Sequence, residues 1–195
     1  MSELVSIPMF PLSIFPLPGE MVPLHIFEPR YRQLLQDAET RDISFGIYFN
    51  HISNVQKFGS VVKLESVIKR YPTGESDIIV KCHDLFKLEA LYRTHRDKLY
   101  PGADVYLLEV DMTNQATSPL LEKYKEYLHH VNVSNVPKRI SPFDIANELN
   151  MDLEGKLKFV NQADEKKEAF LLSQLNYQLQ LLEKTEKSKH VFHLN

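Results

Sequence analysis

The chain has 195 residues, 43% of them apolar and 25% charged, with a formal charge of −3; that supports one or two packed domains and excludes a disordered chain. No run approaches the roughly 18 apolar residues of a membrane span, and Met1-Ser2-Glu3-Leu4 lacks the basic and apolar regions of a secretory signal. A single cysteine, Cys82, excludes an intrachain disulfide and fits a reducing compartment, so the expected location is cytoplasmic.

Six of the eleven prolines (Pro8, Pro11, Pro16, Pro18, Pro23 and Pro29) fall in the first 29 residues. Proline fixes φ and removes a donor, so this stretch is expected as short edge strands and rigid turns. A helix should follow over Glu28–Ala38, with Pro29 in its first turn and Tyr31, Leu34, Leu35 and Ala38 at helical spacing. From 43 to 112 the period is two. Val62, Leu64, Ser66 and Ile68 alternate with Lys63, Glu65, Val67 and Lys69, a half-buried strand. The turn residues Tyr71-Pro72-Thr73-Gly74-Glu75 follow. Alternation resumes at Ile78, Val80 and Cys82, then at Phe86, Leu88 and Ala90, and last at Tyr106, Leu108, Val110 and Met112. Several strands around one helix predict a small barrel-like β domain.

After about residue 117 the pattern turns helical. Ser118-Pro119 reads as an N-cap and a first-turn proline, followed by Leu120, Leu121, Tyr124 and Leu128. Ser141-Pro142-Phe143-Asp144 repeats the device as a capping box, and Asp152 caps a third helix through Phe159. The longest helix is expected from about Asp164 to Lys187, with Leu172, Leu175, Leu179 and Leu182 packing as core. The chain is thus α+β, with a β part at 1–115 and a helical part at 116–195.

Catalytic chemistry finds little support. Only Gly155 among the six glycines precedes a lysine, and position 150 is Asn, so no phosphate-cradling Gly-x-x-x-x-Gly-Lys loop exists. The eight histidines lack metal-ligand spacing: His129 and His130 are adjacent, and His190 and His193 have no nearby Cys or carboxylate. No metal and no cofactor is expected. Cys82 should face the core, away from its strand neighbour His83, which argues against a Cys–His nucleophile. The densest basic spots, Lys69-Arg70 and Lys138-Arg139, are only pairs. Residues 1–112 carry 12 basic and 15 acidic side chains, so nucleic acid is disfavoured as a partner. Asn132-Val133-Ser134 matches a glycosylation triplet that should be silent without a secretory signal. Apolar surface remains. Tyr48 and Phe49, being consecutive on a strand, cannot both enter one core. With Phe58 they are the candidate protein-binding residues, unless the C-terminal helices cover them.

The segment Ile7-Pro8-Met9-Phe10-Pro11-Leu12, Phe15-Pro16-Leu17-Pro18-Gly19-Glu20 and Pro23-Leu24-His25-Ile26-Phe27-Glu28-Pro29-Arg30-Tyr31-Arg32 resembles the N-terminal domain of Lon proteases. The likeness continues more loosely through Phe45-Gly46-Ile47, Phe58-Gly59-Ser60-Val61-Val62 and Asp77-Ile78-Ile79-Val80. Further on, Phe86 keeps a family aromatic while Leu85 stands where the family has Arg. The resemblance implies a PUA-like β pseudo-barrel with short helices, followed by a C-terminal α-helical bundle. It also implies recognition of protein substrates for an ATP-driven protease. The ATPase and the Ser–Lys peptidase of a whole Lon chain are missing, so a free-standing, non-enzymatic member is expected. Its partners would be unfolded or apolar protein segments, with a protease or other protein machine behind it. The alternative is an RNA-binding PUA-like module. Within the motif, Pro23, Leu24, Ile26, Phe27, Glu28, Pro29, Arg30 and Tyr31 are expected to serve the scaffold. Arg30 would bond the carbonyls of a neighbouring loop.

Overall fold

A computed structural model describes residues 3–108, 110–133 and 139–192, from 186 onward as backbone only. The chain divides into two compact units, Met1–Asp111 and Met112–Asn195.

The first unit holds six strands and one helix: β1 (Leu4–Pro11), β2 (Met21–Ile26), α1 (Pro29–Arg41), β3 (Phe45–Tyr48), β4 (Phe58–Arg70), β5 (Ser76–Tyr92) and β6 (Gly102–Leu107). The sheet order is β2-β5-β4-β3-β1-β6, and β6 also pairs with β5. That second pairing closes β5, β4, β3, β1 and β6 into a ring, with β2 left at an edge. Only β1 and β3 run parallel among the paired strands described.

The prolines find two different solutions. Pro23 sits in the edge strand β2, as expected. β1, however, lies between β6 and β3 in the sheet. Its first half, Leu4 to Pro8, pairs with β6, and its second half, Met9 to Pro11, pairs with β3. Each half thus has one neighbour, so Pro8 and Pro11 remove no ladder bond from a strand flanked on both sides.

Bulges explain where the alternation misleads. In β4 the register shifts between Leu64 and Ser66 and between Val67 and Lys69. Each extra residue reverses which side chains face inward. Val67 therefore packs against the core, whereas Ile68, expected on the half-buried face, is 61% exposed. The runs 78–82 and 86–90 are one strand, β5, carried past an irregularity opposite Val61 and Val62. The last strand lies earlier than expected and in the opposite phase: Ala103 and Val105 are buried, and Tyr106 is half-buried. Two small residues gave less signal than the aromatic beside them.

Both faces of the β3 wall are covered. One cluster joins α1 to the sheet through Tyr31, Leu34, Leu35 and Ala38 against Phe10, Ile47, Val62 and Val80. The other gathers Met9, Tyr48, Val61, Phe86, Leu88, Ala103 and Val105. Each large apolar side chain so buried is worth about 1.5–3 kcal/mol.

The second unit contains α2 (Ser118–His130), α3 (Pro142–Glu148), α4 (Leu153–Val160) and α5 (Asp164–Phe192). Ser141 and Asp144 form the expected capping box, and Asp152 accepts from Gly155 N–H. The cap of α2 is Thr117, one residue before the serine that was expected. Its side chain caps nothing, because the Thr117 hydroxyl and N–H both bond the Glu168 carboxylate on α5. The buried stripe of α5 is Leu171, Leu175 and Leu179, with Leu172 and Leu182 only half-buried.

Candidate functional site

The three aromatic candidates meet where β3 passes to β4, and the structure separates them. Tyr48, the last residue of β3, is 7% exposed. It packs with strands of its own unit, on the face opposite Ile47, and burial pushes its phenol pKa up. Tyr48 and Phe49 do part company, but Tyr48 offers a partner almost no surface. Phe49 and Phe58 are half-buried at the two feet of the loop.

Asn54 builds that loop. Its buried side chain donates from Nδ2 to Phe49 O (3.2 Å) and Phe58 O (2.8 Å), while Oδ1 accepts from Phe58 N–H (2.9 Å). Its backbone N–H donates to His51 O, and its carbonyl accepts from Lys57 N–H. One amide thus clamps both ends of the connection and satisfies its own buried polar atoms. The Leu88 N–H donates to Lys57 O, fastening the loop to β5, and the Phe49 and His51 rings lie 5.1 Å apart.

On this braced frame Ile52 is 90% exposed and Val55 80%. Single exposed aliphatics are ordinary on any surface, but two on a loop fixed by a buried side chain form a standing apolar display. The sequence reading missed both. The signal was present as Asn50-His51-Ile52-Ser53-Asn54-Val55-Gln56-Lys57, turn residues interrupted by two aliphatics.

The motif at 23–31 divides by burial. Leu24, Ile26 and Tyr31 enter the core, while Pro23, Phe27, Pro29 and Arg30 are exposed, Phe27 at 55%. Glu28 accepts from Arg30 at 2.9 Å, and the guanidinium lies 4.7 Å from the Tyr31 ring centre. The bond to a neighbouring loop comes instead from Arg32, whose Nη1 donates to Thr73 O at 3.0 Å. The Glu28 carboxylate just before α1 holds the Arg30 guanidinium, whereas Arg32 faces the turn after β4. His25, exposed beside Phe27, approaches Asp77 at 2.6 Å, and the Tyr71 hydroxyl donates to the same carboxylate at 2.7 Å. The Tyr71 and His25 contacts hold Asp77 below the usual carboxylate range, tying the edge strand β2 to β5.

Among the described residues, no group of three or more His, Cys, Asp and Glu could hold a metal ion. His129 and His130 diverge at 88° between ring planes. The side chains of His190, His193, Ser134 and Lys138 lie outside the described residues. Burial pushes the Cys82 thiol well above its ordinary pKa, and its Sγ lies 3.4 Å from Pro16 O; such a thiol is a poor nucleophile at neutral pH. The cavity bounded by Phe10, Ile26, Tyr31 and Phe45 has room for about one water molecule. No helix among the described residues is long and apolar enough to cross a membrane.

Residues 6–189 match the family described as the ATP-dependent protease La (LON) substrate-binding domain. Among solved structures the chain is similar to the Lon N-terminal domain protein from Xanthomonas campestris. The TM-score is 0.64 and the identity 19%, over 90% of this chain and 97% of that one. It is also similar to the N-terminal domain of Mycobacterium avium complex Lon protease, with a TM-score of 0.60 and 15% identity over 88% and 98% of the two chains. At such identities the likeness shows the fold, a six-stranded sheet with helices.

Proposed function

The chain belongs to the ATP-dependent protease La (LON) substrate-binding domain family, and from that premise we propose that it works by binding protein rather than by catalysis. In this reading it takes up unfolded or apolar polypeptide segments at the β3–β4 loop, for a protease or another protein machine in the cytoplasm. One observation carries the reading: Ile52 and Val55 stand almost fully exposed on a connection clamped by Asn54. A rigid display loses little entropy on binding, so its apolar area is available for affinity. Phe49 and Phe58 widen the apolar base, and the Pro23–Tyr31 segment serves as the scaffold that seats α1 on the sheet.

The test is fluorescence anisotropy of a labelled, permanently unfolded polypeptide titrated with the protein at low and high salt, beside a labelled RNA of similar length. Saturable polypeptide binding that survives high salt, and falls about tenfold or more in Ile52→Asp/Val55→Asp, is expected. Both sites are exposed, so the variant should melt like the parent. RNA binding that collapses with salt, without polypeptide binding, would point to a nucleic-acid module instead. An unaffected double variant would move the site off the loop.

A further inference from the structure

We propose that the loop prefers one class of polypeptide, an apolar segment flanked by acidic residues; this rests on the protein-binding reading above. The charge around the display carries the argument. From Phe45 to Leu64 the chain contains no Asp or Glu, yet it includes His51, Lys57 and Lys63, in a protein of net charge −3. Lys63 is neutralised by Asp42 at 2.7 Å. Lys57 is not. Across the ladder, Phe58 pairs with Lys87, and the next β5 residue bonds the Lys57 carbonyl. The backbones of these two exposed lysines therefore meet at the foot of the loop, and neither has an ion-pair partner among the described residues. Glu89, exposed on β5, is the carboxylate nearest in sequence to Lys87, and the two form no ion pair.

Backbone conformation adds a second observation. Lys57 adopts φ +56°, a left-handed conformation that glycine or asparagine would adopt with less strain. Asp42, Asn132 and Asn150 share it and are residue types that ordinarily tolerate it, whereas Lys57 and Arg96 are not. Lys57 thus stands two residues after Val55, its backbone fixed by the bond from its N–H to Asn54 O. An aliphatic core of the partner would cover Ile52 and Val55, while flanking carboxylates reach Lys57 and Lys87. Attraction of that sort steers encounter and selects among apolar segments, and it fades with salt.

The experiment compares two fluorescein-labelled peptides that share a leucine–valine core, one flanked by aspartates and its twin by lysines. The unfolded polypeptide runs in parallel. At low salt the aspartate peptide should bind about tenfold tighter than its twin, and the gap should close at high salt. Lys57→Glu/Lys87→Glu should reverse the preference and leave high-salt binding of the unfolded polypeptide intact. Lys87→Glu alone, away from the left-handed position, should remove most of the preference, and Lys57→Gly should weaken it while raising the melting temperature. Equal affinity for the two peptides, or a preference untouched by the lysine variants, overturns the inference. If the unfolded polypeptide still binds, the protein-binding reading survives that result; if it does not, both fail. Recruitment to phosphatidylcholine vesicles only when they contain phosphatidylserine, without peptide discrimination, would assign the loop to membranes and overturn the inference as well.

Discussion

The Tyr100 hydroxyl donates a 2.7 Å hydrogen bond to the Asp37 carboxylate, joining the middle of α1 to the segment that leads into β6. Lys98 reaches the same carboxylate at 3.0 Å, Arg41 lies 3.5 Å away, and Leu99 N–H donates to Gln33 on α1. Asp37 is 7% exposed. A buried carboxylate is tolerable only because its lone pairs are met.

Asp37 yields the first prediction. Burial works to raise its pKa, but the Tyr100 and Lys98 hydrogen bonds, with the charges of Lys98 and Arg41, outweigh it, and the pKa is lowered. A folded-state pKa below the unfolded value means that the stabilisation is complete above about pH 4 and is lost as pH falls through the folded value. Asp37→Asn should cost about 1–3 kcal/mol at pH 7, and Tyr100→Phe about 1 kcal/mol. Urea unfolding from pH 7 downward should show the Asp37→Asn deficit shrinking below about pH 4. A deficit that stays constant across this range would mean the charge contributes nothing.

The second concerns the onset of acid sensitivity. His95 is 9% exposed with its ring stacked 6.1 Å from Tyr100, and burial lowers its pKa. Burial also lowers that of His83, whose Nε2 lies 3.0 Å from the Ser44 hydroxyl. Both are favoured neutral when folded. Their contribution is therefore present above the unfolded value of about 6.5 and is lost as pH falls from there through the folded values. The melting temperature should begin to drop near pH 6.5, well before the carboxylates titrate. His95→Gln should flatten the slope below about pH 6.5; an unchanged slope would remove His95 from the account.

Gly59 supplies the third. A Cβ there would lie 2.1 Å from Cζ of Phe86, a ring with 0% exposure packed among Met9, Val61 and Val105. The ring has nowhere to go without opening the core. Gly59→Ala should cost about 1–3 kcal/mol in urea unfolding. Phe86→Leu in the same chain should recover part of that loss, giving a coupling between the two sites. Purely additive losses would show that the contact is not the cause.

How much was legible depended on how local each signal was. The Pro23–Tyr31 string announced the family, since a strand entering a helix through proline is a short-range pattern. The capping box at Ser141 and Asp144, the Asp152 cap and the α1 stripe of Tyr31, Leu34, Leu35 and Ala38 were readable for the same reason, whereas the cap of α2 and the phase of the α5 stripe were not. So was Cys82 inside the core, because alternation over a few residues determines it. Phases failed where a bulge inserted a residue, as at Ile68, or where small residues faced inward, as at Ala103 and Val105.

The sequence alone therefore determined the α+β class, the change from strand to helical periodicity and the family, all carried by residues within a turn or two of one another. Only the tertiary structure decided that Tyr48 is sealed under β1, β5 and β6 and that Thr117 serves Glu168 across helices. It also decided that Arg32, not Arg30, reaches the turn at Thr73 and that Ile52 and Val55 stand clear of every core. Exposure and partnership depend on which distant segments arrive beside a residue, and chain neighbours do not encode that.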